Sequence, residues 1–213
     1  QGVMLLLKKL GASEDEQIAG LLHDVSHTAF SHTVDWVLGS GPAQSFQDDQ
    51  HKKFISKSRI PAILKKYGFS TKRISEYHHF GLLEQPAPAL CADRLDYALR
   101  EFPRAIARKC IAGLTTYQGK IVFKNQSAAR LAAAHFLRCQ EDHWASFESA
   151  SRFVTLGRVL RRALDLKVII MADFWEDDAW VIAKIKKSAD AKIKTALSTL
   201  QNNKSLANFP REP

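Results

Sequence analysis

The stretch His23-Asp24-Val25-Ser26-His27-Thr28-Ala29-Phe30-Ser31-His32-Thr33-Val34-Asp35 sets three histidines and two aspartates within thirteen residues of an otherwise apolar segment. Imidazole, carboxylate and water are natural ligands of a divalent cation. Imidazole and carboxylate are also the commonest acid–base pair near neutral pH. Core packing alone gives an apolar segment no reason to carry so many of them. Projected on one ideal helix at about 100° per residue, His23, Asp24, His27, Ser31 and Asp35 share one arc of roughly 120°. Leu22, Val25, Ala29, Phe30, Trp36 and Val37 face the other way. Weak helix propensity around Ser26–Thr28 predicts a break there, with each shorter piece still aiming its polar groups to one side.

Working outward, the pattern is helical almost throughout. Residues 3–10 form an apolar helix with Gly11 as a C-cap. Ser13 and Glu16 have capping-box spacing, and Ile18, Leu21, Leu22 and Val25 give the following helix its apolar stripe. Residues 39–42 (Gly-Ser-Gly-Pro) read as a loop, His51 opens a helix over 51–58, and residues 59–67 and 70–78 are short helices separated by Gly68. After the Gln85-Pro-Ala-Pro88 loop comes a helix over 89–101. Residues 113–124 are the one strand-like stretch, a small β-hairpin turning at Gln118-Gly119. Residues 126–145, 149–166 and 173–200 read as longer helices, and 201–213 as a tail. The fold class is therefore all-α, a helical bundle with at most a small hairpin, in one domain over 1–200. The four tryptophans, Trp36, Trp144, Trp175 and Trp180, are expected in the core. The acidic run Asp173, Glu176, Asp177 and Asp178 reads as a helix N-terminus rather than a metal site.

A second constellation is Cys91-Ala92-Asp93-Arg94-Leu95-Asp96-Tyr97-Ala98-Leu99-Arg100-Glu101. Asp93, Asp96, Tyr97 and Arg100 share a helix face. An Asp96–Arg100 surface pair explains two of them but not Asp93, set among small residues and a cysteine. Taken together, the two segments resemble the HD metal-dependent phosphohydrolase superfamily, over roughly residues 1–105. The branch most similar includes the dNTP triphosphohydrolases and the sterile-alpha-motif HD dNTPase. There the His-Asp pair continues as apolar-Gly-His-Gly-Pro-Phe-Ser-His, and a later segment reads Asp-x-x-Asp-Tyr-x-x-Arg-Asp.

The resemblance implies an HD-type bundle holding a divalent metal that activates water against a phosphate ester or anhydride, with a nucleotide as the expected substrate. It implies His23, Asp24 and Asp93 as metal ligands. His27 and His51 would face the reacting phosphate and its water. His32, paired with an acid such as Asp35, would hold or protonate the leaving oxygen. Arg94 and Tyr97 would lie near the substrate phosphates. Mixed nitrogen and oxygen ligation suits Mn, Fe, Co, Ni or Zn better than Mg. The sequence departs from the family at Ser26-His27-Thr28-Ala29, which lacks both glycines and the proline, and at Glu101 in place of aspartate. The family's first metal-binding histidine would fall before Gln1. Gln1 is not an initiator, so the native chain is expected to continue upstream.

Composition narrows the rest. Hydrophobic residues are 46% of the 213, enough for a sizeable core. No apolar run reaches the ~18 residues of a membrane span, and the short N-terminal apolar segment lacks the features of a signal peptide. Three cysteines without Cys-x-x-Cys spacing point to a reduced, cytoplasmic or otherwise intracellular compartment. The net charge of +9 attracts phosphates of any kind. Nucleic acid is disfavoured as a partner by the lack of aromatic–basic interleaving; a homo-oligomer stays open. Two other functions stay open as well: a catalytically incomplete HD-fold binding or regulatory module, and a cyclic-nucleotide phosphodiesterase.

Overall fold

The computed structural model describes residues 1–39 and 45–201. Among these, twelve α-helices and one two-stranded sheet bear out the all-α reading, with 68% of the described residues helical. Among the described residues, no helix is long and apolar enough to cross a membrane. The chain gathers into two compact units, one of residues 1–25 and 51–142, the other of residues 26–50 and 143–213.

In the first unit, α1 (Gly2–Lys9) packs on α2 (Glu14–Leu22) and on α7 (Ala92–Glu101). The helices α1 and α2 approach closely at Gly20, where an added Cβ would come within 2.4 Å of Leu7 Cδ1. Ser13 caps α2 by accepting the Glu16 N–H at 3.3 Å. The expected capping box is only half present. The Glu16 carboxylate does not reach back to Ser13 but bonds the backbone of Leu82 and Leu83. Between α2 and α7 the chain forms α3 (Thr33–Leu38), α4 (Phe46–Lys57), α5 (Ile60–Lys66) and α6 (Thr71–Ser75). The helix α3 and the first turn of α4 belong to the second unit. A 3-10 turn, Tyr77–His79, follows α6. Beyond α7 come α8 (Arg104–Gly113), the hairpin β1 (Leu114–Tyr117) and β2 (Lys120–Phe123), and α9 (Gln126–Cys139). The hairpin pairs Tyr117 with Lys120, as its sequence predicts. Gln118 and Gly119 both take positive φ, 47° and 72°, the conformation a two-residue turn of this kind needs.

In the second unit, α10 (Phe147–Asp165) packs on α3 and on α12 (Ala191–Gln201). The core there includes Val34, Val37, Leu160, Ile169, Phe174, Val181, Ile185 and Ile193. The long helix expected over 173–200 is three pieces: a 3-10 turn Met171–Trp175, α11 (Asp178–Lys186) and α12. Local capping divides it. Asp177 accepts the Trp180 N–H at 2.7 Å to start α11. Asp190 accepts the Ile193 N–H at 2.9 Å to start α12, while its own N–H goes to Ser188 Oγ at 3.2 Å. Side chains of this kind compete with the helix interior and favour its ends. Trp36, Trp175 and Trp180 are 42–50% exposed, so the expectation of core tryptophans fails for these three. Residues 40–44 and 202–213, including most of the expected loop and tail, lie outside the described residues.

Two outcomes test this unit. Phe174 is 1% exposed at the centre of its core, so Phe174→Ala should cost about 3–5 kcal/mol of unfolding free energy by urea titration. The Arg162 guanidinium donates to both Asp190 oxygens at 2.8 and 2.6 Å and holds that carboxyl well below the usual carboxylate range. Because the native value is depressed, the stabilisation is full above the unfolded value of about 3.9 and is lost as pH falls through the native one. The melting temperature of Asp190→Asn should therefore lie below wild type at pH 7, and the gap should narrow at acidities below about pH 4.

Candidate metal centre

The helix α2 ends at Leu22, three residues earlier than the projected break, and His23 is its C-terminal flank. The His23 ring is buried, 7% exposed. Its Nδ1–H donates to Gly20 O at 2.9 Å, which fixes the ring plane and turns Nε2 away from the helix. Nε2 meets Asp24 Oδ2 at 3.2 Å and Asp93 Oδ1 at 3.3 Å. Asp93 comes from the first turn of α7, seventy residues further on. One ligand atom from each of His23, Asp24 and Asp93 lies within 4.8 Å of the others, the one such group of metal-ligating type among the described residues. The acidic run around Asp177 forms no such group: Asp177 caps α11, Asp173 pairs with Lys184 at 2.6 Å, and Asp178 accepts a backbone N–H.

Burial alone would lower the His23 pKa. The hydrogen bonds and charges of Asp24 and then Asp93 oppose it and push the value up to about 10. Metal-free, the ring is thus an imidazolium with every N–H on an acceptor. The donor set fits a divalent cation as well as it fits that proton. A backbone carbonyl orients the imidazole through its far nitrogen, the usual arrangement for a metal-ligating histidine. Two carboxylates converge on the near one.

His51, 2% exposed on α4, stands edge-on to the Tyr77 ring at 4.9 Å between centroids, and Tyr77 stands edge-on to His23 at 6.4 Å. Tyr77 therefore contacts both rings. Spacing in the chain carries no signal of this, because Tyr77 lies 54 residues from His23 and 26 from His51. The Arg94 guanidinium reaches back to the loop before α7, donating to Ala89 O, Gln85 O and Cys91 Sγ. Tyr97 is 43% exposed one turn beyond Asp93. Burial raises its phenol pKa, against the pull of nearby Arg94. Asp96 forms the two-bond surface pair with Arg100 that its spacing suggests, at 2.8 and 3.3 Å.

The second unit carries His27, His32 and Asp35. The rings of His27 and His32 meet edge to face at 5.2 Å. His32 Nδ1 is 3.9 Å from Asp35 Oδ2, within charge range but too long for a hydrogen bond. The buried Asp35 accepts the Phe46 N–H at 3.0 Å. Phe30 and Ser31, between the histidines, hold φ of 60° and 47°, a strained region for side chains of this size. Bonds from Ala29 N–H to Phe174 O and from Phe30 N–H to Asp178 Oδ1, both 2.8 Å, hold that turn. In the first unit, an apolar recess of about 230 Å³ between α2 and α5 is lined by Ile18, Leu21, Leu22, Ile60, Ile63, Leu64, Tyr67 and Phe69. It offers a phosphate no charged partner.

The chain is 36% identical over 206 residues to the uncharacterized protein YdhJ of Bacillus subtilis, which covers 93% of this chain and 63% of that protein. It is 29% identical over 213 residues to the metal-dependent phosphohydrolase cns2 of Cordyceps militaris, covering 94% and 61%. The chain thus spans about three fifths of the length of these curated relatives. Residues 1–101, which hold His23, Asp24, His51 and Asp93, match the model of the HD domain.

Proposed function

We propose that this chain is a metal-dependent phosphohydrolase that cleaves a phosphate ester or anhydride, with nucleotides as the first substrate class. The observation that carries the reading is the convergence of His23, Asp24 and Asp93 ligand atoms within 4.8 Å. The HD match over residues 1–101 and the name of the Cordyceps relative support it. A divalent ion held there would supply a water acidic enough to attack phosphorus near neutral pH. Mixed nitrogen and carboxylate ligation favours Mn, Fe, Co, Ni or Zn over Mg.

The chain's own groups do the rest. With a cation at the site, His23 would offer Nε2 as a ligand in place of its proton, while its Nδ1–H donates to Gly20 O. Asp24 and Asp93 supply negative charge with little rearrangement, because both already point at that nitrogen. His51 is the candidate for orienting water, supported by its burial and by the Tyr77 ring it shares with His23. His27 is assigned to the reacting phosphate and His32 to the leaving oxygen. Asp35 Oδ2 lies 3.9 Å from His32 Nδ1. Tyr97 is the better candidate for contacting substrate, because the bonds of Arg94 commit it to holding the loop before α7.

Metal-loaded protein should release phosphate, pyrophosphate or triphosphate from at least one member of a panel of nucleoside mono-, di- and triphosphates and cyclic nucleotides. The product assigns the bond cut. Silence across the panel with metal bound would refute the hydrolase. His23→Ala and Asp93→Asn should each weaken metal retention by more than about a hundredfold, beyond the range for groups outside the ligand shell. Elemental analysis of the purified variants checks it, and full retention by His23→Ala removes the ligand assignment. The raised His23 pKa adds a sign. Below about pH 10 a cation must displace a proton, so uptake at pH 7.5 should release about one proton per site and affinity should climb as pH rises. Titration calorimetry in buffers of different ionisation enthalpy counts that proton.

A further inference from the structure

The two arms of the metal centre are tied together by a buried carboxylate that does not belong to it. Glu16 lies two helical turns before His23 on α2, about 10 Å along the axis. Its side chain is 8% exposed. Oε1 accepts the N–H groups of both Leu82 and Leu83, at 2.8 and 2.9 Å. The carbonyls of the same two residues accept from the first turn of α7. Ala92 N–H donates to Leu82 O at 2.7 Å and Asp93 N–H to Leu83 O at 3.4 Å. Those N–H groups have no acceptor within their own helix, and the N-cap residue Cys91 makes no side-chain cap bond to them. The Leu82–Leu83 strap is the substitute cap. It is anchored by fully buried Leu83 on one side and by the Glu16 carboxylate on the other.

We infer that Glu16 is a positioning residue for the metal centre: through the Leu82–Leu83 strap it fixes the start of α7, and with it Asp93, relative to the helix that ends at His23 and Asp24. The inference rests on the metal-binding reading proposed above. Glu16 is not a ligand, and its role depends on where its oxygen sits rather than on its charge. That separates two conservative variants. Glu16→Gln loses the charge but keeps an acceptor oxygen in the same place. Glu16→Asp keeps the charge but withdraws the oxygen by one methylene, leaving the strap unclamped.

The test is Mn²⁺ titration of wild type, Glu16→Gln, Glu16→Asp and the exposed control Glu14→Gln, following free Mn²⁺ by electron paramagnetic resonance. Backbone amide exchange of the metal-free proteins is measured alongside. Glu16→Gln and Glu14→Gln should bind within about threefold of wild type. Glu16→Asp should bind 10–100-fold more weakly, as for other groups that orient a ligand. It should also show faster exchange at Leu82, Leu83, Ala92 and Asp93 with the rest of α2 still protected. Equal affinity in all four proteins overturns the inference while leaving the metal site standing. So does the reverse order, Asp tight and Gln weak, which would make the role one of charge. If wild type takes up no Mn²⁺, the metal reading falls and the inference with it.

Discussion

A buried imidazole with a carbonyl on one nitrogen and two carboxylates on the other has two stable states. Either it carries a second proton, or a cation replaces that proton. Two carboxylates facing a neutral ring nitrogen would leave like charges converging with nothing between them. At His23 this constraint governs the surroundings. The helix α2 ends at Leu22, and the next two residues, His23 and Asp24, meet through Nε2 and Oδ2 at 3.2 Å. The first turn of α7 has to stay close, because Asp93 must arrive from a distant part of the chain. Gly20 serves twice. It lets α1 and α2 come close enough to bury the ring, and its carbonyl sets the ring's direction.

Such a centre is costly to assemble from separate helices, since each ligand's backbone must be ordered before any ligand can contribute. The first unit lowers that cost by making helix ends the structural parts. His23 and Asp24 sit at the end of one helix, Asp93 at the beginning of another. Chain ends of helices carry unsatisfied N–H and C=O groups that must find partners. Gly20 O accepts from His23, and Leu82 O and Leu83 O accept from α7. The groups that finish the helices are therefore the groups that aim the ligands. Arg94 works the same way on the loop before α7, where its guanidinium takes up two carbonyls.

How much of this could be read in the chain depends on the range of each interaction. The hairpin at Gln118-Gly119 and the Asp96–Arg100 pair are local, and spacing alone predicts them. The His-Asp pair and Asp93 are distant from one another but are carried by motifs specific enough to be matched. Glu16 was legible as a capping residue and is in fact a long-range anchor. A carboxylate three residues after serine looks the same whichever N–H it meets. Tyr77 was illegible for a related reason, since two edge-on ring contacts with residues from other segments leave no periodic trace. The exposed tryptophans show the opposite error, because residue type predicts burial on average but says nothing of which side of a short helix a ring leaves from.

The projection of residues 21–37 on one continuous helix failed at a particular place, and the failure bears on chemistry. Phe30 and Ser31 occupy left-handed backbone, so the polar residues before and after them do not share one helical face. Left-handed backbone at a non-glycine residue costs free energy and persists where surrounding bonds impose it. Here the imposing bonds are those from Ala29 to Phe174 and from Phe30 to Asp178. The family pattern that this stretch resembles has glycines two and four residues before the phenylalanine, where this chain has Thr28 and Ser26. Both of those side chains are buried. The turn that carries His27 and His32 thus combines buried polar side chains with two anchoring bonds. The two histidine rings on that turn meet edge to face at 5.2 Å. Under the proposed reading, a pair placed in this way would meet a phosphate with little loss of entropy.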